Sequence, residues 1–532
     1  LDLLGLGLIK VDSLLSLVDG VATKVSNVSV SGTENGAVIK ASGQVEITEG
    51  ESILAGGFIS EAEGVQIADS HVTNLKAVYA EAAKDKEGYA GGFVGRSHTG
   101  GLAGLAQEDK DGALKLPGIV NVSGLLDLVP YLIPQYTNTT VTFCSANEEP
   151  QVKADYAGGF FGEMQSGKVD NSTRTEAYAV YGLEKVKGES HAGGFAGKVD
   201  AGATASSNGL NLLGGILNLD IGQLLDVLQV YIPIIQSAGV KSTEKGFTVE
   251  ATDTDSYAGG YLGYGGGVQI KDSDVTSLKH TKVTPPGDSL ESANGDSYFG
   301  TDSQYAVKGG KYAGGYAGCV DIDSAAAVGG GLKLLGNIEL TNLLKALDVV
   351  ASTIENSDVN GCVGGYSVLA DGRDDKNQKL GKAGGFIGEM SGTIIKNSDA
   401  NLFNYIIGRE AAGGYAGIME PGNVASVIED AGILDGLLNV TDSLASLVQS
   451  FIPIIEDSQT SSVPCGGAVR ADGITDTQCV RGLAGGYVGY NHGGRIKGYA
   501  AEGGGKECAT IRIRSVYGGE FAGGFTGLME TA

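Results

Sequence analysis

Five histidines, His71, His98, His191, His280 and His492, are the side chains of this 532-residue chain best suited by type to move protons or hold a metal. Their spacing removes that chemistry. None stands four residues from another, and none has a cysteine at zinc-site spacing, so they read as surface or ladder residues. Three close carboxylate pairs, Asp253 with Asp255, Asp321 with Asp323 and Asp374 with Asp375, could work as acid and base on a glycosidic bond or chelate Ca2+. An enzyme normally carries one such site, marked by a break in regularity and by aromatic sugar platforms. Tryptophan is absent, and 63 acidic residues make close pairs common by chance. The chain is therefore expected not to be an enzyme, with Ca2+ as its one candidate cofactor.

The remaining reactive types point the same way. Six cysteines, Cys144, Cys319, Cys362, Cys465, Cys479 and Cys508, show no CxxC spacing. Cys465 and Cys479 share a loop-rich stretch and are the best local candidates for a disulfide, with buried free thiols as the competing reading. The segment GGYLGYGGG has no Walker lysine after it, and no GxSxG elbow occurs. A net charge of −26 repels nucleic acid and anionic membrane surfaces. The richest apolar stretches, such as LLDLVPYLIP, are short and broken by proline, well below the roughly 18 residues of a membrane span. The chain begins with Leu1 inside a repeat and shows no sorting signal, so it reads as a piece of a longer protein.

The elements that position these residues are set by repetition. Glycine is 88 of 532 residues, roughly 17% where about 7% is usual, with only 10 prolines and no collagen period. AGGF or AGGY occurs ten times, starting at Ala55, Ala90, Ala157, Ala192, Ala258, Ala313, Ala383, Ala412, Ala484 and Ala522, with a degenerate VGGY at Val363. Short and long gaps alternate, so a unit of about a hundred residues recurs five times, its third copy expanded. The whole of 1–532 is expected to be one continuous fragment with approximate units 1–117, 118–209, 210–331, 332–431 and 432–532.

Each short gap runs from a core through a small loop to Gly-x-Ile/Val and then, in four of the five, Asn/Asp-Ser, as in GGFISEAEGVQIADS and GGFIGEMSGTIIKNS. Period-two apolar residues between Gly and Asn/Asp turns predict strands. Paired glycines before an aromatic fit a corner that needs positive φ or close backbone approach. Asp69, Asn171, Asp272 and Asn397 hold equivalent turn positions. The pattern GGFIGEMSGTIIKNSDA…AAGGYAG resembles the glycine-rich GLUG-type repeats of bacterial surface proteins, a style also found in large wall-attached adhesin-like proteins of Gram-positive bacteria. The resemblance covers all five short gaps and implies a parallel β-solenoid on the cell surface.

Each long gap carries a Leu-rich segment at helical spacing: Leu14, Leu15 and Val18; Leu125, Leu126 and Val129; Leu224, Leu225 and Leu228; Leu343, Leu344 and Leu347; and Leu444, Leu447, Val448 and Phe451, which Thr441 would cap and Pro453 end. The expected fold is mainly β: a right-handed parallel β-helix or close solenoid variant with about five amphipathic helical insertions packed on it. In that fold Phe58, Phe93, Phe160, Phe195, Tyr261, Tyr316, Phe386, Tyr415, Tyr487 and Phe525 form one inward or corner-facing stack. The expected function is structural and adhesive: an extended acidic surface or stalk of an extracellular, cell-wall protein. Its partner would be a host or neighbouring-cell surface protein or glycan, with self-association as a further mode and neither nucleic-acid binding nor membrane insertion. The alternatives are a polysaccharide-active β-helix enzyme and a host-protein, immune ligand acting through the helical ridge.

Overall fold

The structure is a computed structural model that describes residues 23–43, 52–82, 86–99, 107–108, 114–115, 133–145, 149–201, 232–279, 305–322, 351–372, 380–422, 452–473, 482–498 and 507–531. Its strands are short, mostly three to five residues, because Gly and Asn/Asp interrupt the chain at nearly every apolar pair. A strand this short has no stability of its own and survives only by pairing on both sides.

Ten turns of the chain supply that pairing. Each turn contributes one strand to a first sheet, which runs from Lys24–Ser26 to Arg495–Lys497, and one to a third sheet, which runs from Ile59–Glu63 to Thr526–Glu530. Both are 10-stranded, and their pairs are parallel. Between them each turn crosses a broad 26-stranded sheet. The one antiparallel pair among the described residues is Gln107–Glu108 with Leu114–Lys115. With strands about 4.8 Å apart, ten turns make a column on the order of 45 Å long.

Like residues meet in register along this column. In the first sheet Ile67, Tyr136, Val169, Ile235, Ile270, Ile354, Ile395 and Ile455 follow one another inward, each at most 2% exposed. In the broad sheet Val72, Val141, Val180, Val240, Val275 and Val359 do the same. β-branched side chains suit such a surface, and they join one core cluster that runs through the described column.

The expected β-helix with five helical insertions is corrected by this arrangement. The described residues are all-β and hold no helix. The Leu-rich segments that carried the helical reading lie outside the described residues. The broad sheet also departs from one strand per turn. His71–Glu81, with 11 residues, and Ala400–Gly408, with 9, are long enough to pair with two neighbouring strand columns at once. The pairings therefore close a ring of parallel strands. It runs from His71–Glu81 through Thr140–Phe143, Tyr178–Tyr181, Gly239–Lys241, Val275–Leu278 and Val359–Gly361 to Ala400–Gly408. It returns through Tyr366–Ala370, Val307–Gly309, Thr248–Ala251, Lys185–Gly193 and Val152–Gly158, twelve strands in all. Spacing along the sequence marks where strands occur but not how many columns a long one bridges.

Candidate functional site: the two sides of the AGG corner

Each AGG-aromatic core is the corner at which the chain leaves the broad sheet for the third sheet. A Cβ on Gly158 would lie 1.9 Å from its own turn's Phe161 carbonyl oxygen, and one on Gly159 would lie 2.1 Å from the next turn's Gly194 oxygen. Neither glycine has positive φ. Close backbone approach, not left-handed conformation, is what requires them.

This close approach fixes the inward residue. Phe58, Phe93, Phe160, Phe195, Tyr261, Tyr316, Phe386, Tyr415, Tyr487 and Phe525 form one unbroken column, with successive ring centroids 4.7 to 5.4 Å apart and planes within 15°. The eight from Phe93 to Tyr487 are fully buried, whereas Phe525 in the last turn is 40% exposed. The tyrosines differ from the phenylalanines by a satisfied hydroxyl. Tyr316 donates to the Ser273 carbonyl at 2.8 Å, Tyr415 to Ser398 at 2.7 Å and Tyr487 to Ser458 at 2.8 Å. Burial pushes all three phenols well above their ordinary range, so they stay protonated donors.

Those serines belong to the opposite corner, between the first and broad sheets. Asp69, Asp272 and Asn397 adopt left-handed backbone there, with φ of 47°, 51° and 46°. The following serine folds back onto the carbonyl two residues before it and accepts the neighbouring turn's amide. Ser398 Oγ, for instance, donates to Lys396 O at 2.8 Å and accepts from Ser357 N at 3.1 Å. Asn171 shares the register of Asp69 but has no positive φ. It is buried, accepts from Thr139 N and donates to Thr139 O, both at 2.9 Å, and so does by side chain what serine does elsewhere.

The outward side of the AGG corner is chemically mixed. The residue before each alanine points out of the column, and five of these form a second ladder: Tyr89, Tyr156, His191, Tyr257 and Tyr312, with centroids 4.5 to 4.7 Å apart. Its two ends are capped by the chain's own cations. Arg96 lies 5.2 Å from the Tyr89 ring centre, and Lys382 lies 5.2 Å from that of Tyr312. Seven residues further along, the third sheet forms a facing wall of paired charges. Glu163 pairs with Arg96 at 3.0 Å and Lys198 at 3.3 Å, Lys198 with Asp200 at 2.8 Å, and Lys382 with Glu389. Burial alone would lower Lys198, but Asp200 and Glu163 overcome it and hold the ammonium above its usual range. Burial, then Lys198, drives His191 down to about 3, so it stays neutral. Toward the last turns the seam becomes apolar, with Ala411, Ile418 and Leu483 packed together.

This seam favours polar contact over sugar stacking. Each of Tyr156, His191 and Tyr257 has a ring neighbour on both faces. What a partner can reach is hydroxyl and carboxylate. Tyr156 donates to Glu87 at 3.4 Å and Tyr264 to Asp321 at 2.7 Å, while Glu87, Glu189, Asp253 and Asp255 are exposed along the rim.

The other residues singled out in sequence are not gathered here. Of the carboxylate pairs, Asp253 and Asp255 are described, whereas Asp323, Asp374 and Asp375 lie outside the described residues. No group of three or more His, Cys, Asp or Glu with metal-holding geometry occurs among the described residues. Cys465 is exposed, and Cys479, its candidate partner, lies outside the described residues. His71 accepts or donates at Thr140 Oγ1 at 2.9 Å, and His98 reaches Glu61 at 3.2 Å. Sequence reasoning missed the outer ladder because its residue type varies from turn to turn, although the recurring YAGG at Tyr89, Tyr156, Tyr257 and Tyr312 was a signal. It also missed Arg409, 1% exposed, which ties Asp371 at 2.5 Å to Asp472 at 2.8 Å across neighbouring turns. No protein-family model, no curated protein and no solved structure matches the chain.

Proposed function

We propose that this chain is a structural and adhesive repeat region of a bacterial cell-surface protein. It presents an extended acidic surface to a protein or glycan of a host or neighbouring cell. The observation that carries this reading is the contrast at one corner: inward residues repeat from turn to turn, while outward ones vary on a constant frame. A frame of this kind displays side chains at fixed intervals without needing a pocket. The net charge of −26 gives the display its sign, and the GLUG-like motifs support an extracellular, wall-associated setting.

The test is attachment. Beads coated with the chain should adhere to cultured epithelial cells or to bacterial cells, and soluble chain should compete. Failure to adhere to either surface contradicts the adhesive reading. Release of reducing sugar from a panel of plant, host and bacterial polysaccharides contradicts the non-enzymatic one.

A further inference from the structure

The exposed apolar side chains of the column collect at its two ends. Of eight large apolar side chains left exposed among the described residues, seven lie in the first or last turn, with Met529 at 61% and Val38 at 54% the most open; the eighth, Val363, lies on the flank. The five strands of the first turn, from Lys24–Ser26 to Ile59–Glu63, each pair on one side only among the described residues. So do the five of the last turn, from Arg495–Lys497 to Thr526–Glu530. A cleft of about 540 Å3 opens at the last turn beside Ile496, Phe525 and Met529, inward positions that a following turn covers elsewhere in the column. Inside the column, what covers such a face is another turn of the same pattern. An unpaired edge over apolar side chains is a template for one more.

We propose that the last turn of one copy stacks on the first turn of a second copy, head to tail, and continues all three sheets across the junction. The register within the column fixes which residues meet. Phe525 falls on Phe58, Met529 on Ala62 and Val516 on Ile39, each pair extending a column of inward side chains. Tyr517, which has Arg470 over one face at 4.7 Å, meets Lys40 with the other. The phase matches as well. In the first two and the last six turns, the broad sheet bends alternately through a glycine of positive φ, such as Gly36 or Gly466, and through one left-handed residue, such as Asn74 or Arg512. The last turn bends at Arg512 and the first at Gly36, so the junction keeps the alternation. Pairing between turns is parallel throughout, so a last face continues onto a first face and not onto another last face. The contact is heterologous and adds copies along the column axis. Charge opposes it, because Arg495 comes beside Lys24, Glu530 beside Glu63, and each copy carries −26. Salt screens these repulsions, so association strengthens as salt rises.

The test is sedimentation velocity of the full chain, from about 1 to 200 µM, in 20 and 300 mM NaCl. Wild type should form a concentration-dependent series of dimer, trimer and longer species, shifted toward monomer at the lower salt. Val30→Lys places an unpaired charge in the first face and Met529→Lys in the last. Each alone should weaken association by roughly tenfold or more, with its melting curve unchanged. Mixed one to one they retain a single intact junction, the last turn of Val30→Lys on the first turn of Met529→Lys, and should give dimer and nothing longer. If either variant does not fold, Val38→Lys replaces it on the first face or Phe521→Lys on the last. Wild type that stays monomeric at 200 µM in 300 mM NaCl overturns the proposal. So does association that both variants retain, which would place the contact on the flanks, and so does a mixture that forms no dimer.

Discussion

The two sides of the AGG corner are built on the same backbone, yet they follow different rules. Inward, ten of ten positions are aromatic and stack without a gap. Outward, one residue before the alanine, the positions are Leu54, Tyr89, Tyr156, His191, Tyr257, Tyr312, Lys382, Ala411, Leu483 and Phe521. The inner side must fill a space that the glycine corner makes identical in every turn. The outer side has only to pair along the column, which a ring, a salt bridge or an apolar cluster does equally well. What the chain does to other molecules should therefore be sought where residue type varies, and what holds it together where type does not.

Substitution on the two sides should separate them. Phe195→Ala removes a fully buried ring between two neighbours and should cost about 3–5 kcal/mol in urea unfolding. Tyr156→Ala, at a half-buried position of the outer ladder, should cost less than half of that. Equal losses would mean that both ladders are core.

His191 sharpens the comparison by pH. Its folded-state value, about 3, lies below the ordinary 6.5, so the unfolded chain binds the proton first and stability is lost as pH falls from 6.5 toward 3. The loss should be on the order of 2–4 kcal/mol and absent from His191→Phe. A His191→Phe melt with the same acid loss would show that His191 is not the group responsible.

Smaller effects probe how the corners lock. Tyr415→Phe keeps the stacked ring and deletes one hydroxyl, leaving the Ser398 carbonyl without that donor; the expected cost is about 1–2 kcal/mol. Asn397→Ala places an ordinary side chain at φ 46° and should cost about 1 kcal/mol, with the hydrogen bond that Asn397 Nδ2 donates to Asn356 Oδ1 lost as well. If Asn397→Ala proved the more damaging of the two, the first corner rather than the ring column would dominate rung locking.

These contrasts also show what a sequence can reveal. The ring positions follow from AGG spacing because close backbone approach forces glycine, and glycine is visible as a letter. The left-handed turns at Asp69, Asp272 and Asn397 are visible for a similar reason, since few residue types tolerate that backbone. Asn171 carries the same letter but turns inward, because the amide of Thr139 offers its side chain a partner there. The Arg409 tie is set by what lies across the turn, many residues away, and leaves no recurring letter, while the outer ladder leaves only the YAGG of four of its turns. The ring of strands through His71–Glu81 depends on pairing partners rather than on local pattern.

The claim that turns are interchangeable because each meets its neighbours through the same corner is tested most directly by deleting two of them. Removing residues 234–352 would join Pro233 to Thr353, set Thr353 against Lys168 in the first sheet and stack Phe386 on Phe195. A column coupled only to nearest neighbours should survive as a shorter fold with one cooperative thermal transition by circular dichroism. Loss of that transition, with the deleted chain unfolded at 25 °C, would contradict the account and show that the turns depend on a whole they cannot leave.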